Sequence, residues 1–129
     1  MKLSDYCTGI QHIGIPTGDL KASETFYTAL GFDVVHRGLV TEKNQNVLFL
    51  QMKNLMLEIY EDVPALCDGA VDHIALDCTD IEAAYSLACQ NGHRILSDGI
   101  CALDFWENGI RYFIMEGPNK ERIEFCQRL

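Results

Sequence analysis

The feature that most constrains this chain is that it repeats itself. "HIGIPTGDLKASETFYTALGFDVV" (12–35) lies over "HIALDCTDIEAAYSLACQNGHRIL" (73–96) without a gap. His12 falls on His73, Ile13 on Ile74, Asp19 on Asp80, Leu20 on Ile81, Ala22 on Ala83 and Gly31 on Gly92. Beyond the glycine, Val34 falls on Ile95 and Val35 on Leu96. A unit this short cannot bury its apolar face well alone. The repeat therefore predicts one domain over 1–129, made of a module at 10–61 and a second at 71–127.

Each copy reads in the same order. A short alternating strand comes first. Asp19 or Asp80 then stands where a carboxylate can accept from the orphan amides of a helical first turn. Apolar residues at helical spacing follow: Leu20, Phe26, Tyr27 and Leu30 in one copy, Ile81, Ala84, Tyr85 and Ala88 in the other. Gly31 and Gly92 suit the left-handed position just past a helix. Next come "NVLFLQM" (46–52) and "LMLEIYE" (55–61), a hairpin around Lys53 and Asn54. In the second copy "IRYFIME" (110–116) and "ERIEFCQ" (121–127) flank the turn composition "GPNK" (117–120). Glu58 thereby matches Glu124, and the five extra residues are assigned to "SDGICALDFWENG" (97–109). The class is α+β, with each module a strand, a helix and about three strands.

Composition narrows the function. Hydrophobic residues make up 48% of the 129, enough for a core, and the formal net charge is −9 with no basic cluster. Nucleic acid and anionic membrane surfaces are excluded as partners on that balance. No apolar stretch approaches the roughly 18 residues of a membrane helix, and "MKLSDYCTGI" lacks the apolar run of a secretory signal, so a cytoplasmic location is expected. Six cysteines (Cys7, Cys67, Cys78, Cys89, Cys101, Cys126) form no C-x-x-C pair. They are read as reduced, mostly buried thiols, with a catalytic cysteine as the alternative.

Strand parity then sorts the polar residues. Ile74, Leu76 and Cys78 share one face of 71–78, and His73, Ala75 and Asp77 the other. Ile13 and Ile15 oppose His12 and Gly14. Leu57 and Ile59 oppose Met56, Glu58 and Tyr60. Ile123 and Phe125 oppose Arg122, Glu124 and Cys126. The aliphatic face belongs under the helices, and the opposite face carries His12, Glu58, His73 and Glu124. Gly14 and Ala75 follow the histidines on that face and leave room above it. Taken singly, each of the four would pass as a solvated residue on a wet sheet face. Their recurrence in both copies argues for a site. Two neutral imidazoles and two carboxylates balance a divalent cation and leave two octahedral positions open, as catalysis requires. His36 and His93 do not repeat and are read as surface or loop residues.

The stretches "QHIGIPTGDLKASETFYTALGF", "LMLEIYE", "DHIALDCTDIEAA" and "FIMEGPNKERIEFCQ" resemble the vicinal oxygen chelate superfamily, the glyoxalase and bleomycin-resistance fold, over about residues 10 to 127. The His…Glu…His…Glu order is most similar to the glyoxalase I (lactoylglutathione lyase) group. That resemblance implies two β-α-β-β-β modules forming a concave half-barrel sheet, with the helices on its outer face. It implies a homodimer with a site shared between subunits, and a nickel or cobalt ion, with zinc also compatible. It implies a small-molecule substrate, an α-hydroxycarbonyl or hemithioacetal, isomerised through an enediolate, with Glu124 as the base and Glu58 as its partner. Pro16 stands where that group carries an arginine used on glutathione, and Asp62 where it carries an asparagine. Arg37, Lys43, Arg111 and Arg122 are the basic residues available instead.

Two other readings stay open within the resemblance. In an epimerase of the methylmalonyl-CoA type, Gln45 or Gln51 would be the remaining ligand and Glu58 a bystander. In a non-catalytic binder of the bleomycin-resistance kind, Phe105 and Trp106 would stack on a flat drug; otherwise they pack within their segment. Ring-cleaving dioxygenases and fosfomycin-type transferases use two histidines and one glutamate, and Glu58 argues against them.

Overall fold

A computed structural model describes residues 1–129 apart from Cys7, Gly9, Asp68, Ala70 and the side chain of Leu3. It comprises two compact units, Met1–Pro64 and Ala65–Leu129. The first contains β1 (Ile13–Thr17), α1 (Leu20–Leu30), β2 (Asp33–Val40), β3 (Gln45–Met52) and β4 (Leu55–Glu61). The second contains β5 (Ile74–Asp77), α2 (Ile81–Gln90), β6 (Cys101–Leu103), β7 (Ile110–Glu116) and β8 (Arg122–Arg128). The chain is α+β, and each unit is a β-α-β-β-β module with one four-stranded sheet, ordered β1-β4-β3-β2 and β5-β8-β7-β6. Among the described residues no helix is long and apolar enough to cross a membrane.

Both sheets are mixed. β1 runs parallel to β4 and β5 parallel to β8, while the remaining neighbours are antiparallel. The helix that follows each first strand carries the chain across the sheet, as a parallel connection requires. Both helices start as the sequence predicts. Asp19 Oδ1 accepts from the Ala22 amide and Asp80 Oδ1 from the Ala83 amide, each at 3.0 Å. Replacing either aspartate with alanine is expected to cost about 1 kcal/mol, read from the midpoint of urea unfolding. A loss at one cap without the other would break the equivalence of the modules.

The helix ends match as well. Gly31 and Gly92 both take positive φ, 109° and 75°. The Gly31 and Gly92 amides donate to Thr28 and Cys89, and the following amides, of Phe32 and His93, to Tyr27 and Ala88. This is the crossed pattern of a Schellman end.

Alternation places the cores. Tyr27, Phe32, Leu48, Leu50, Leu57 and Ile59 are buried in the first unit, and Ile81, Ala88, Ile110, Phe113, Met115 and Ile123 in the second. Phe125, on the same strand face as Ile123, stacks on Phe113 at 5.0 Å between ring centroids.

The modules differ where the second carries its extra residues. β2 has eight residues, but its counterpart opens with a single bridge, Ile95 to Met115, before the three-residue β6. Not all of the insertion lies at 97–109. Phe49 faces Glu58, and Ile114 faces Glu124. Four of the five extra residues therefore precede β7, and the fifth lengthens the β7–β8 turn.

The cysteines also depart from expectation. Cys67, Cys78, Cys89, Cys101 and Cys126 are free thiols as expected, but two are exposed, three half-buried and none fully buried. A thiol is small and weakly polar enough to sit on either face of a sheet. Cys7 lies outside the described residues.

Candidate metal centre

Each histidine stands one residue before the strand that the alternation assigned to it, since sheet pairing starts at Ile13 and at Ile74. The parallel register then sets Gly14 opposite Glu58 and Ala75 opposite Glu124. Within the first unit, His12 Nε2 lies 3.8 Å from Glu58 Oε2. Within the second, His73 Nε2 lies 3.0 Å from Glu124 Oε2. The structure thus pairs His12 with Glu58 in the first unit and His73 with Glu124 in the second. Among the described residues, no group of three or more histidine, cysteine, aspartate or glutamate side chains is placed to hold a metal ion. Donors held about 2.0–2.2 Å from one ion lie roughly 3–3.5 Å apart when adjacent in its coordination shell. The His73–Glu124 separation matches that spacing, and the His12–Glu58 separation is slightly wider.

The other imidazole nitrogens show a feature that the strand pattern did not flag. His12 Nδ1 meets the amide oxygen of Gln11. His73 Nδ1 hydrogen-bonds Asp72 Oδ2 at 2.8 Å. A proton on Nδ1 leaves Nε2, the atom facing the glutamate, as the free lone pair, which is how ligating histidines are usually oriented. Gln11 and Asp72 occupy the same place in the repeat, immediately before each histidine. The hydrogen bond from His73 holds the Asp72 carboxyl below the usual carboxylate range, with the charge of Arg122 adding to the effect. Arg122 Nε lies 3.7 Å from Asp72 Oδ2. Asp72→Asn is expected to weaken metal binding about 10–100-fold, measured by competition with a chromophoric chelator. Undiminished affinity would show that Asp72 does not act through His73.

The surroundings are open but not uniform. Side-chain exposure is 28% for Glu58 and 13% for Glu124. A Cβ at Gly14 would come within 3.4 Å of the Tyr60 ring and 3.8 Å of Glu58 Oε1, so this glycine keeps the space beside the carboxylate clear. Phe49 meets His12 edge-on, with ring centroids 5.7 Å apart. On the corresponding face of the second unit, Tyr112 lies between Cys101 and Cys126 in the cross-strand register. Burial pushes the Cys126 thiol up, and the Glu124 and Asp77 carboxylates push it further. Cys126 is therefore a protonated thiol rather than a nucleophile near neutral pH.

The remaining candidates fall elsewhere. Gln45 donates to the Glu61 carbonyl at 2.8 Å and Gln51 to the Lys53 carbonyl at 3.2 Å. The residue facing Glu58 across β3 is Phe49 rather than either glutamine. Arg37 is bound to Glu24 on α1 and Arg111 to Glu82 on α2. Lys43 lies in the short turn Thr41–Lys43. Pro16 lies opposite Tyr60, and Asp62 accepts from the Val63 amide at 2.8 Å. Phe105 and Trp106 are exposed, and the Arg128 guanidinium sits 4.4 Å over the Trp106 ring. His93 is half-buried just past α2. His36 is exposed as expected, but it belongs to strand β2.

Residues 9–125 match the model of the Glyoxalase/Bleomycin resistance protein/Dioxygenase superfamily. The chain belongs to this superfamily. A curated relative, the uncharacterized protein YwbC of Bacillus subtilis (strain 168), is 36% identical over 127 residues, covering 92% of this chain and 97% of its own. Among solved structures, a glyoxalase family protein from Enterococcus faecalis superposes with a TM-score of 0.77 at 22% identity, covering 94% of this chain and 98% of its own. The fosfomycin resistance protein FosX from Listeria monocytogenes, complexed with Mn(II) and sulfate, superposes with a TM-score of 0.74 at 13% identity, covering 95% of this chain and 94% of its own. A glyoxalase I variant from Zea mays gives 0.69 at 18% identity, covering 91% of this chain and 43% of its own. At these identities the structural likeness speaks for the fold. Within the superfamily fold, both modules of this member aim a histidine Nε2 at a glutamate on the neighbouring parallel strand.

Proposed function

We propose that the two pairs, His12 with Glu58 and His73 with Glu124, serve one divalent metal ion. The chain is then a metal-dependent lyase or isomerase of the glyoxalase I type, acting on a small α-hydroxycarbonyl or hemithioacetal. The observation that carries this reading is the same pair built twice, each histidine with Nδ1 tied to the residue before it and Nε2 turned to a carboxylate. A nickel or cobalt ion, with zinc also compatible, would supply Lewis acidity toward two adjacent substrate oxygens.

The remaining work falls to the chain. Glu124 is the more enclosed carboxylate, with the small Ala75 opposite it on the parallel strand and Ile114 on the antiparallel one. It takes the proton from the carbon next to the substrate carbonyl. Return of a proton to the former carbonyl carbon completes the isomerisation, and Glu58 is the partner in that exchange. The missing side chain at Gly14, where a Cβ would come 3.8 Å from Glu58 Oε1, leaves room beside that carboxylate for substrate carbon. Pro16 stands where the glyoxalase I group carries an arginine used on glutathione, and Asp62 where it carries an asparagine, which argues for a different thiol or a plain hydroxycarbonyl. The working form is proposed to be a cytoplasmic homodimer.

The test is metal analysis of purified protein, followed by isomerase assays with methylglyoxal and a panel of thiols that includes glutathione. One tightly held divalent ion per His12–Glu58–His73–Glu124 set, with activity that chelator removes and metal restores, is expected. Absence of isomerase activity with every thiol adduct in nickel-, cobalt- and zinc-loaded protein would overturn the glyoxalase assignment.

A further inference from the structure

The sheet of the first unit carries a row of facing residues across all four strands. Gly14 on β1 faces Glu58 on β4, Glu58 faces Phe49 on β3, and Phe49 faces His36 on β2. Facing residues point to the same side of a sheet, so His36 shares the face of Glu58. It reaches that face only because β2 is irregular. Val34 pairs with Leu50 and His36 with Phe49, which leaves Val35 as one extra residue. With regular pairing Val35 would face Phe49, and His36 would face the buried Leu48 beneath the helix. A bulge of this kind re-aims a side chain. Here it brings an imidazole out onto the face of the His–Glu pair.

Phe49 joins the two histidines of the unit. His12 lies edge-on to its ring at 5.7 Å and His36 tilts against it at 5.9 Å. Among the described residues, neither ring nitrogen of His36 hydrogen-bonds a protein group. Its open edge faces Gly38, where a Cβ would come only within 3.7 Å of Nε2. The second module has no such residue. Its row runs from Ala75 to Glu124 to Ile114. The residue at the His36 position of the repeat is Ser97, whose hydroxyl accepts from the Ile114 amide and donates to the Gly99 carbonyl.

We propose that His36 determines specificity by holding a carboxylate at the far end of a substrate whose near end is bound at the metal. This rests on the metal reading above. Two strand intervals separate Glu58 from His36, about 9–10 Å. That span suits a substrate whose carboxylate lies five or six bonds from its chelating oxygens and whose chain crosses the Phe49 ring. An imidazole with donors left over binds an oxyanion through a charge-assisted hydrogen bond. One imidazole in a chain of net charge −9 matches a single negative charge rather than a phosphate dianion. The neighbouring cation, Arg37, is bound to Glu24 of α1.

The experiment uses two hydroxamates on nickel-loaded full-length protein, with affinities read by calorimetry. Adipic monohydroxamate chelates at one end and carries a carboxylate at the other. Hexanohydroxamate has the same length and an apolar end. Wild-type protein is expected to prefer the carboxylate compound about tenfold. His36→Gln is expected to lose that preference while keeping its metal content and its affinity for hexanohydroxamate. His36→Arg is expected to retain the preference. Equal affinities in the wild type, or an unchanged preference in His36→Gln, overturn the role of His36 alone. Failure of both hydroxamates to bind metal-loaded protein overturns the metal reading, and the role of His36 with it.

Discussion

Glu124→Gln is expected to lower turnover by roughly 10²–10⁴-fold, the usual contribution of a positioned general base. The amide nearly preserves the size and shape of the carboxylate but cannot accept the substrate proton. The side chain is 13% exposed, and Oε2 lies 3.0 Å from His73 Nε2. Its neighbours are Ala75 across the parallel pair and Ile114 across the antiparallel one, so the substitution disturbs little packing. Folding and hydroxamate binding should therefore survive better than turnover. Steady-state kinetics beside calorimetry on the metal-loaded variant separates the two quantities. Turnover close to wild type would remove Glu124 from the role of base. A parallel loss of metal and turnover would reduce it to a ligand.

His12→Ala and His73→Ala are each expected to abolish tight metal binding, taking the stoichiometry from one ion to none. A single ion served by both pairs loses a quarter of its protein donors with either change, together with the neutral nitrogen that suits a borderline cation. The measurement is metal content after gel filtration in the presence of a weak chelator. The two variants are expected to behave alike, because the pairs are equivalent in the repeat. If one variant kept a full ion and the other kept none, a single pair would hold the metal, and the second would be a remnant of the duplication. Circular dichroism guards against a trivial cause, and both side chains are partly exposed, at 35% and 41%.

Much of the fold could be read in the chain because it depends on local chemistry. Asp19 and Asp80 cap helices since their carboxylates reach the amides three residues on. Gly31 and Gly92 follow helices since both take positive φ. The face of Glu58, opposite to that of the buried Leu57 and Ile59, follows from a period of two. What escaped the pattern depends on pairing between distant segments. The parallel contact of β1 with β4 has no local signature. The bulge at Val35 shifts the parity of everything after it on β2, so His36 reads as an unremarkable surface residue until its partner on β3 is known. Gln11 and Asp72 were visible as polar neighbours of the histidines, but loop polarity alone does not show that their oxygens meet Nδ1. Cys67, Cys78, Cys89, Cys101 and Cys126 are less buried than their apolar character suggests, because a thiol carries little preference between a half-wet face and a dry one.

The parallel strands β1 and β5 have a further consequence, for the order in which the chain acquires its chemistry. In each unit the first strand pairs only with the last, so histidine and glutamate meet across almost the whole length of the unit. The β3–β4 and β7–β8 hairpins close over short loops and cost little chain entropy. Docking the first strand against them closes a loop of some forty residues or more, and non-local pairings of that kind form late and slowly. The His–Glu pairs are thus assembled by the last and least local step of folding in each unit. A nascent unit that lacks its final strand has no partner for its first strand, and its histidine has no glutamate to face.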